Sequence, residues 1–125
     1  MTAALLPDLL SLTSSSLPPI RDLLEKATGK LRALVAADGR VCAARIEANQ
    51  SAAHAYSWLA TYVQALEQMQ GWAERLNSKS AFGEMEQLIL QIAFGEYLGQ
   101  IRGGIPMSQG EIARLYDIGL SRDDQ

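Results

Sequence analysis

Cysteine is almost missing from this chain: Cys42 stands alone among 125 residues. That excludes an internal disulfide or a cysteine-rich zinc site, and nothing points to an oxidising compartment. Histidine is as scarce. His54 is the only one, with no second His or Cys at ligand spacing and no recognisable triad context, so it reads as a packed or hydrogen-bonded histidine. Excess positive charge is also lacking, since 11 basic residues face 14 acidic ones for a net charge of -3. This argues against a surface that binds nucleic acid through phosphates. The imbalance falls late, with residues 1–62 at +1 and residues 63–125 at -4. No apolar run reaches the roughly 20 residues that a bilayer span needs. The opening MTAALLPDLLSL has no basic start and carries Pro7 and Asp8, unlike a signal peptide. What remains is a cytoplasmic protein with no nucleic acid and no membrane as partner. With 48% hydrophobic residues, a chain of this length can bury a core without staples.

The apolar spacing predicts an all-α fold, an antiparallel up-and-down bundle of four to five helices with two long central ones. Residues 1–18 read as a variable segment with a short helix over 2–12, ended by Ser14-Ser15-Ser16 and Leu17-Pro18-Pro19. Residues 19–120 read as the bundle, and 121–125 as a polar tail or linker. Pro19 suits the first turn of a helix whose stripe is Ile20, Leu23, Leu24, Ala27, Leu31, Leu34 and Val35, closed by Asp38-Gly39. From about Cys42 to Leu76 the only breaker is Gly71, which predicts one helix of roughly 50 Å. Its seam, Leu59, Tyr62, Leu66, Met69, Ala73 and Leu76, has coiled-coil-like spacing. Trp58, Ala65 and Trp72 line a neighbouring face.

Asn77-Ser78-Lys79-Ser80 then reads as a turn, and a helix follows from about Gly83 to Arg102. Leu88, Ile89, Ile92, Leu98 and Ile101 are expected toward the core, with Glu84 and Glu86 near the positive helix end. Gly95, Gly99 and Gly103 recur every four residues, leaving bare backbone that close approach of another helix explains. Ser108-Gln109-Gly110-Glu111 has the form of a capping box for a last helix over Ile112 to Ile118.

Chemistry-bearing residues are sparse. Glu84, Glu86 and Glu96 lack the Glu-x-x-His partner of a carboxylate-bridged metal bundle and read as a solvated acidic face. Cys42 has no assignable basic partner or resolving thiol. Gly103-Gly104-Ile105-Pro106 lacks the strand and spacing of a phosphate-cradling loop. The residues therefore assign no catalytic, cofactor-binding or metal site. Trp58, Trp72, Gly95, Gly99 and Gly103 are the candidate interface, with domain core as the competing reading for the tryptophans.

Two stretches carry a resemblance: residues 52–66, AAHAYSWLATYVQAL, and residues 94–111, FGEYLGQIRGGIPMSQGE. Both resemble the amino-terminal helical extension that precedes the flavin-binding body in acyl-CoA dehydrogenases of the methylsuccinyl-CoA dehydrogenase type, over about residues 38–120. Gly103-Gly104 followed by Arg114-Leu115-Tyr116-Asp117 also looks like a degenerate form of the carboxy-terminal helical domain of the same superfamily, with its second basic residue missing. The resemblance implies a parent enzyme that uses FAD to oxidise a short branched acyl-CoA to its enoyl thioester. It implies no cofactor in this chain, whose partner would be the catalytic body in cis or another subunit. Read without the resemblance, the chain is a stand-alone helical interaction module or homodimer.

Overall fold

The structure is a computed structural model and describes residues 5–125. It is mostly helical. Helix α1 spans Leu9–Val35, α2 Ala43–Ala48, α3 Gln50–Ser78 and α4 Glu84–Gly103. Three helices are long, against the two expected. The part of the expected 2–12 helix that falls on residues 1–4 lies outside the described residues.

Helix α1 corrects the largest expectation. It runs unbroken through Ser14, Ser15, Ser16, Pro18 and Pro19. Its buried stripe of Leu9, Thr13, Leu17, Ile20, Leu23 and Ala27 crosses the prolines without interruption, and both prolines face solvent. The carbonyls they leave unpaired at Ser14 and Ser15 are on exposed residues open to water, so the packed stripe outweighs the lost bonds.

Two antiparallel β-hairpins appear, the first at the expected end of a helix and the second in place of the expected last helix. Strands β1 (Ala36–Ala37) and β2 (Arg40–Val41) pair across Asp38 and Gly39, whose φ values are 51° and 75°. Positive φ at both central residues is the two-residue turn that matches strand twist, which Asp-Gly favours. The expected long helix also starts later. It is interrupted at Asn49, whose φ of -126° and ψ of 37° leave α2 as a separate exposed turn.

The second hairpin replaces the expected last helix. Strands β3 (Ile105–Ser108) and β4 (Glu111–Ala113) pair across Gln109 and Gly110, which both have positive φ. Ser108 and Glu111 face each other as strand partners, so they form no capping box. Two 3₁₀ turns follow: Leu115–Ile118, which buries Leu115 and Ile118, and Arg122–Asp124 in the expected polar tail.

Gly104 makes the entry to β3. Its φ is 134°, and a Cβ there would lie 2.5 Å from Ile112 Cγ2, so only glycine fits.

The core lies between α1, α3 and α4 and is plugged at one end by the C-terminal segment. Leu59, Leu66, Leu90 and Ile118 are its largest fully buried side chains. Polar contacts fix the register. Thr13 donates to Gln70 Oε1 at 2.5 Å, and Thr28 and Tyr56 share a 2.8 Å hydroxyl contact. Arg21 pairs with Glu67 between them. As α1 numbers rise, their α3 partners fall, so the two helices run in opposite directions.

Helix α4 buries Leu90, Phe94 and Ile101. Ile101 is in the core as expected, and Leu88 and Leu98 are half-buried. Ile89 and Ile92 are 44% and 62% exposed, which corrects their assignment to the core. The helix is apolar around most of its circumference, so apolar spacing alone does not choose the buried side.

Candidate functional site

The candidate residues fall on two helices. Trp58 and Trp72 lie on α3, fourteen residues and about 21 Å apart along the axis. Both are half-buried and pack against the core. Trp58 meets Tyr62 edge-on, with centroids 6.4 Å apart. Tyr62 in turn stacks on Tyr97 of α4 and donates to Gln100 Oε1 at 2.6 Å.

Gly95, Gly99 and Gly103 lie on the outside of α4. All three are exposed, and a Cβ at any of them would meet nothing within 4 Å. Among the described residues no other helix comes within contact of that bare backbone. Gly99 and Gly103 border an open cleft with Pro19, Leu23, Arg102 and Asp124.

Sequence reasoning missed the neighbours of these glycines. Met85, Ile89 and Ile92 are 66%, 44% and 62% exposed, and at helical spacing they continue the face on which Gly99 and Gly103 lie. The signal was present as the run Met85, Ile89, Ile92, Glu96, Gly99 and Gly103, spaced +4, +3, +4, +3, +4.

Exposed His54 meets Trp58 edge-on, with centroids 6.5 Å apart. It lines an open groove with Ser57, Met107, Glu111 and Asp117, where the Asp117 carboxylate is already engaged by the Arg114 N–H at 2.8 Å. Half-buried Cys42 precedes α2 and donates its backbone N–H to the Val35 carbonyl at 2.8 Å. Among the described residues, no group of three His, Cys, Asp or Glu side chains is placed to hold a metal.

No buried side-chain nitrogen or oxygen among the described residues lacks a hydrogen-bond partner. No helix among them is long and apolar enough to cross a membrane.

No family model matches the chain. It is 60% identical over 116 residues to the (2S)-methylsuccinyl-CoA dehydrogenase of Cereibacter sphaeroides, an alignment that takes in 93% of this chain and 21% of that protein. The resemblance to a dehydrogenase of this type holds. This chain spans about a fifth of the length of the curated relative it matches. The alignment reaches well beyond residues 38–120, so the first helix shares in it.

Proposed function

We propose that this chain is a non-catalytic, amino-terminal helical domain of an FAD-dependent acyl-CoA dehydrogenase, whose full-length form oxidises a short branched acyl-CoA to the enoyl-CoA in the cytoplasm. One observation carries the reading, namely 60% identity across nearly the whole chain to one part of a much longer dehydrogenase.

Oxidation of an acyl-CoA needs a base at the substrate α-carbon and a flavin positioned to accept hydride from the β-carbon. On this reading both belong to a separate catalytic body. The three long helices serve as an antiparallel up-and-down bundle that packs on that body, in cis or in another subunit. Trp58, Trp72, Gly95, Gly99 and Gly103 are its candidate contacts. The competing reading is a stand-alone interaction module or homodimer, which the exposed apolar face of α4 favours.

Two measurements test the proposal. The reading frame is expected to continue beyond Gln125 into a flavin-binding body; a stop codon there would favour the stand-alone module. Titration of the purified chain with FAD is expected to show no saturable binding. Tight binding, or dehydrogenation by the chain alone, overturns the assignment.

A further inference from the structure

We propose that the outward face of α4 pairs antiparallel with the same face of a second copy of this chain. The inference deepens the subunit-contact part of the preceding reading by naming the partner.

The face is a heptad seam turned to solvent. Met85, Ile89, Ile92, Glu96, Gly99 and Gly103 alternate at four and three residues, the spacing that keeps one stripe facing a partner helix. The stripe is about 27 Å long. Its bulky residues are all in the first half and its glycines in the second.

That division selects the second copy. The pattern is mirrored about the level of Phe94, so in an antiparallel pair Met85 meets Gly103 of the other chain, Ile89 meets Gly99 and Ile92 meets Glu96. Each bulky residue at the two outer levels then enters a notch with no side chain, and the glycines let the backbones approach closely. Gly95 lies beside the twofold, where clearance is needed most.

Charge agrees with this orientation. Glu84 and Arg102 occupy one flank at opposite ends of α4, so antiparallel pairing brings each near the other's counterpart. A parallel pair sets glycine against glycine and like charge against like. Any two-fold pair also makes the contact isologous, the commonest form of self-association.

Glu96 is the one charged residue on the stripe, and its two copies flank the twofold. They set the affinity low. A contact one helix wide is also smaller than the roughly 800 Å² per partner of a standard stable interface.

The test is sedimentation equilibrium of the 125-residue chain up to roughly 1 mM, the weak end of protein association. A monomer–dimer equilibrium is expected. Gly99→Leu and Ile92→Lys are expected to abolish it while leaving the melting temperature unchanged or raised, because both positions are exposed. Glu96→Leu is expected to tighten it at least several-fold.

Orientation is read by cross-linking in a Cys42→Ser background. Mixed I89C and G99C chains treated with a short bismaleimide are expected to join to each other, and I89C alone to stay uncoupled. A chain that remains monomeric throughout, an unaltered dimer in Gly99→Leu, or I89C joined to itself overturns the proposal. None of these outcomes bears on the reading frame or the FAD titration, so the two readings fail separately.

Discussion

Tyr62 of α3 lies nearly flat on Tyr97 of α4, with ring centroids 4.2 Å apart and planes 17° from parallel. The same phenol donates to Gln100 Oε1 at 2.6 Å, so one residue supplies both a stacked face and a polar end to the α3–α4 contact. Burial, and then the neighbouring Tyr97, raise its pKa above the ordinary tyrosine value.

Replacing Tyr62 with Phe keeps the stack and removes the donor. Half-buried Gln100 then loses its partner, and unfolding in urea is expected to show a loss of about 1 kcal/mol. The pH dependence has a definite sign. Because the folded pKa is raised, the unfolded phenol ionises first, so its contribution holds at neutral pH and is lost as pH rises through the alkaline range. Tyr62→Phe is expected to flatten that alkaline limb of the stability curve. An unchanged limb would show that Tyr62 titrates normally.

Much of the fold was legible because apolar spacing reports burial where one face dominates. Leu59, Tyr62, Leu66 and Ala73 are buried as their spacing predicts, and the turn after α3 falls at Lys79 and Ser80, the second half of the polar run, with Asn77 and Ser78 still helical. Local signals failed where packing overrode them, as at Pro18 and Pro19. They also failed where one short motif suits two structures. Asp38-Gly39 ends a helix or turns a hairpin, and Ser108 to Glu111 caps a helix or reverses a strand; the choice rests on what the flanking residues pack against. On α4 the apolar residues go nearly all round, so the outward face was mistaken for part of the core.

The prolines of α1 make that override measurable. They occupy exposed interior positions of a continuous helix, where Pro costs about 3 kcal/mol relative to Ala. Restoring the N–H at either position lets it bond to the serine carbonyl four residues earlier. Pro18→Ala and Pro19→Ala are each expected to raise stability by about 1 to 3 kcal/mol in denaturant titrations, with no change in helix boundaries. A loss of stability would mean that the helix is interrupted there.

Gly95 and Gly104 are expected to respond oppositely to the same substitution. Gly95 is helical and exposed with open space beside it, so Gly95→Ala is expected to stabilise by about 0.5 to 1 kcal/mol. At Gly104 the added carbon meets Ile112 Cγ2, and the φ of 134° disfavours any side chain. Gly104→Ala is expected to lower stability by more than about 1 kcal/mol. Thermal melts of both variants check the contrast, and equal responses would contradict the backbone path at the end of α4.

The C-terminal turn is expected to be acid-labile. Asp124 Oδ2 accepts from the Ser121 N–H at 2.8 Å and from its hydroxyl at 3.0 Å, while Lys26 Nζ stands 3.7 Å from Oδ1. The Ser121 N–H and then its hydroxyl hold this carboxyl below the ordinary aspartate range, against an opposing effect of desolvation that outranks the smaller pulls of Lys26 and Lys30. A depressed folded pKa means that the contribution is present above the unfolded value and is lost as pH falls through the folded one. Since the group sits at the surface, the consequence is local: Arg122–Asp124 frays while the helices stay folded. Amide shifts of residues 121–125 are expected to move together on acid titration, with a midpoint below that of an unperturbed aspartate, and Asp124→Ala is expected to give the frayed shifts already at neutral pH. A midpoint at the ordinary value would mean that Ser121 does not cap this turn in solution.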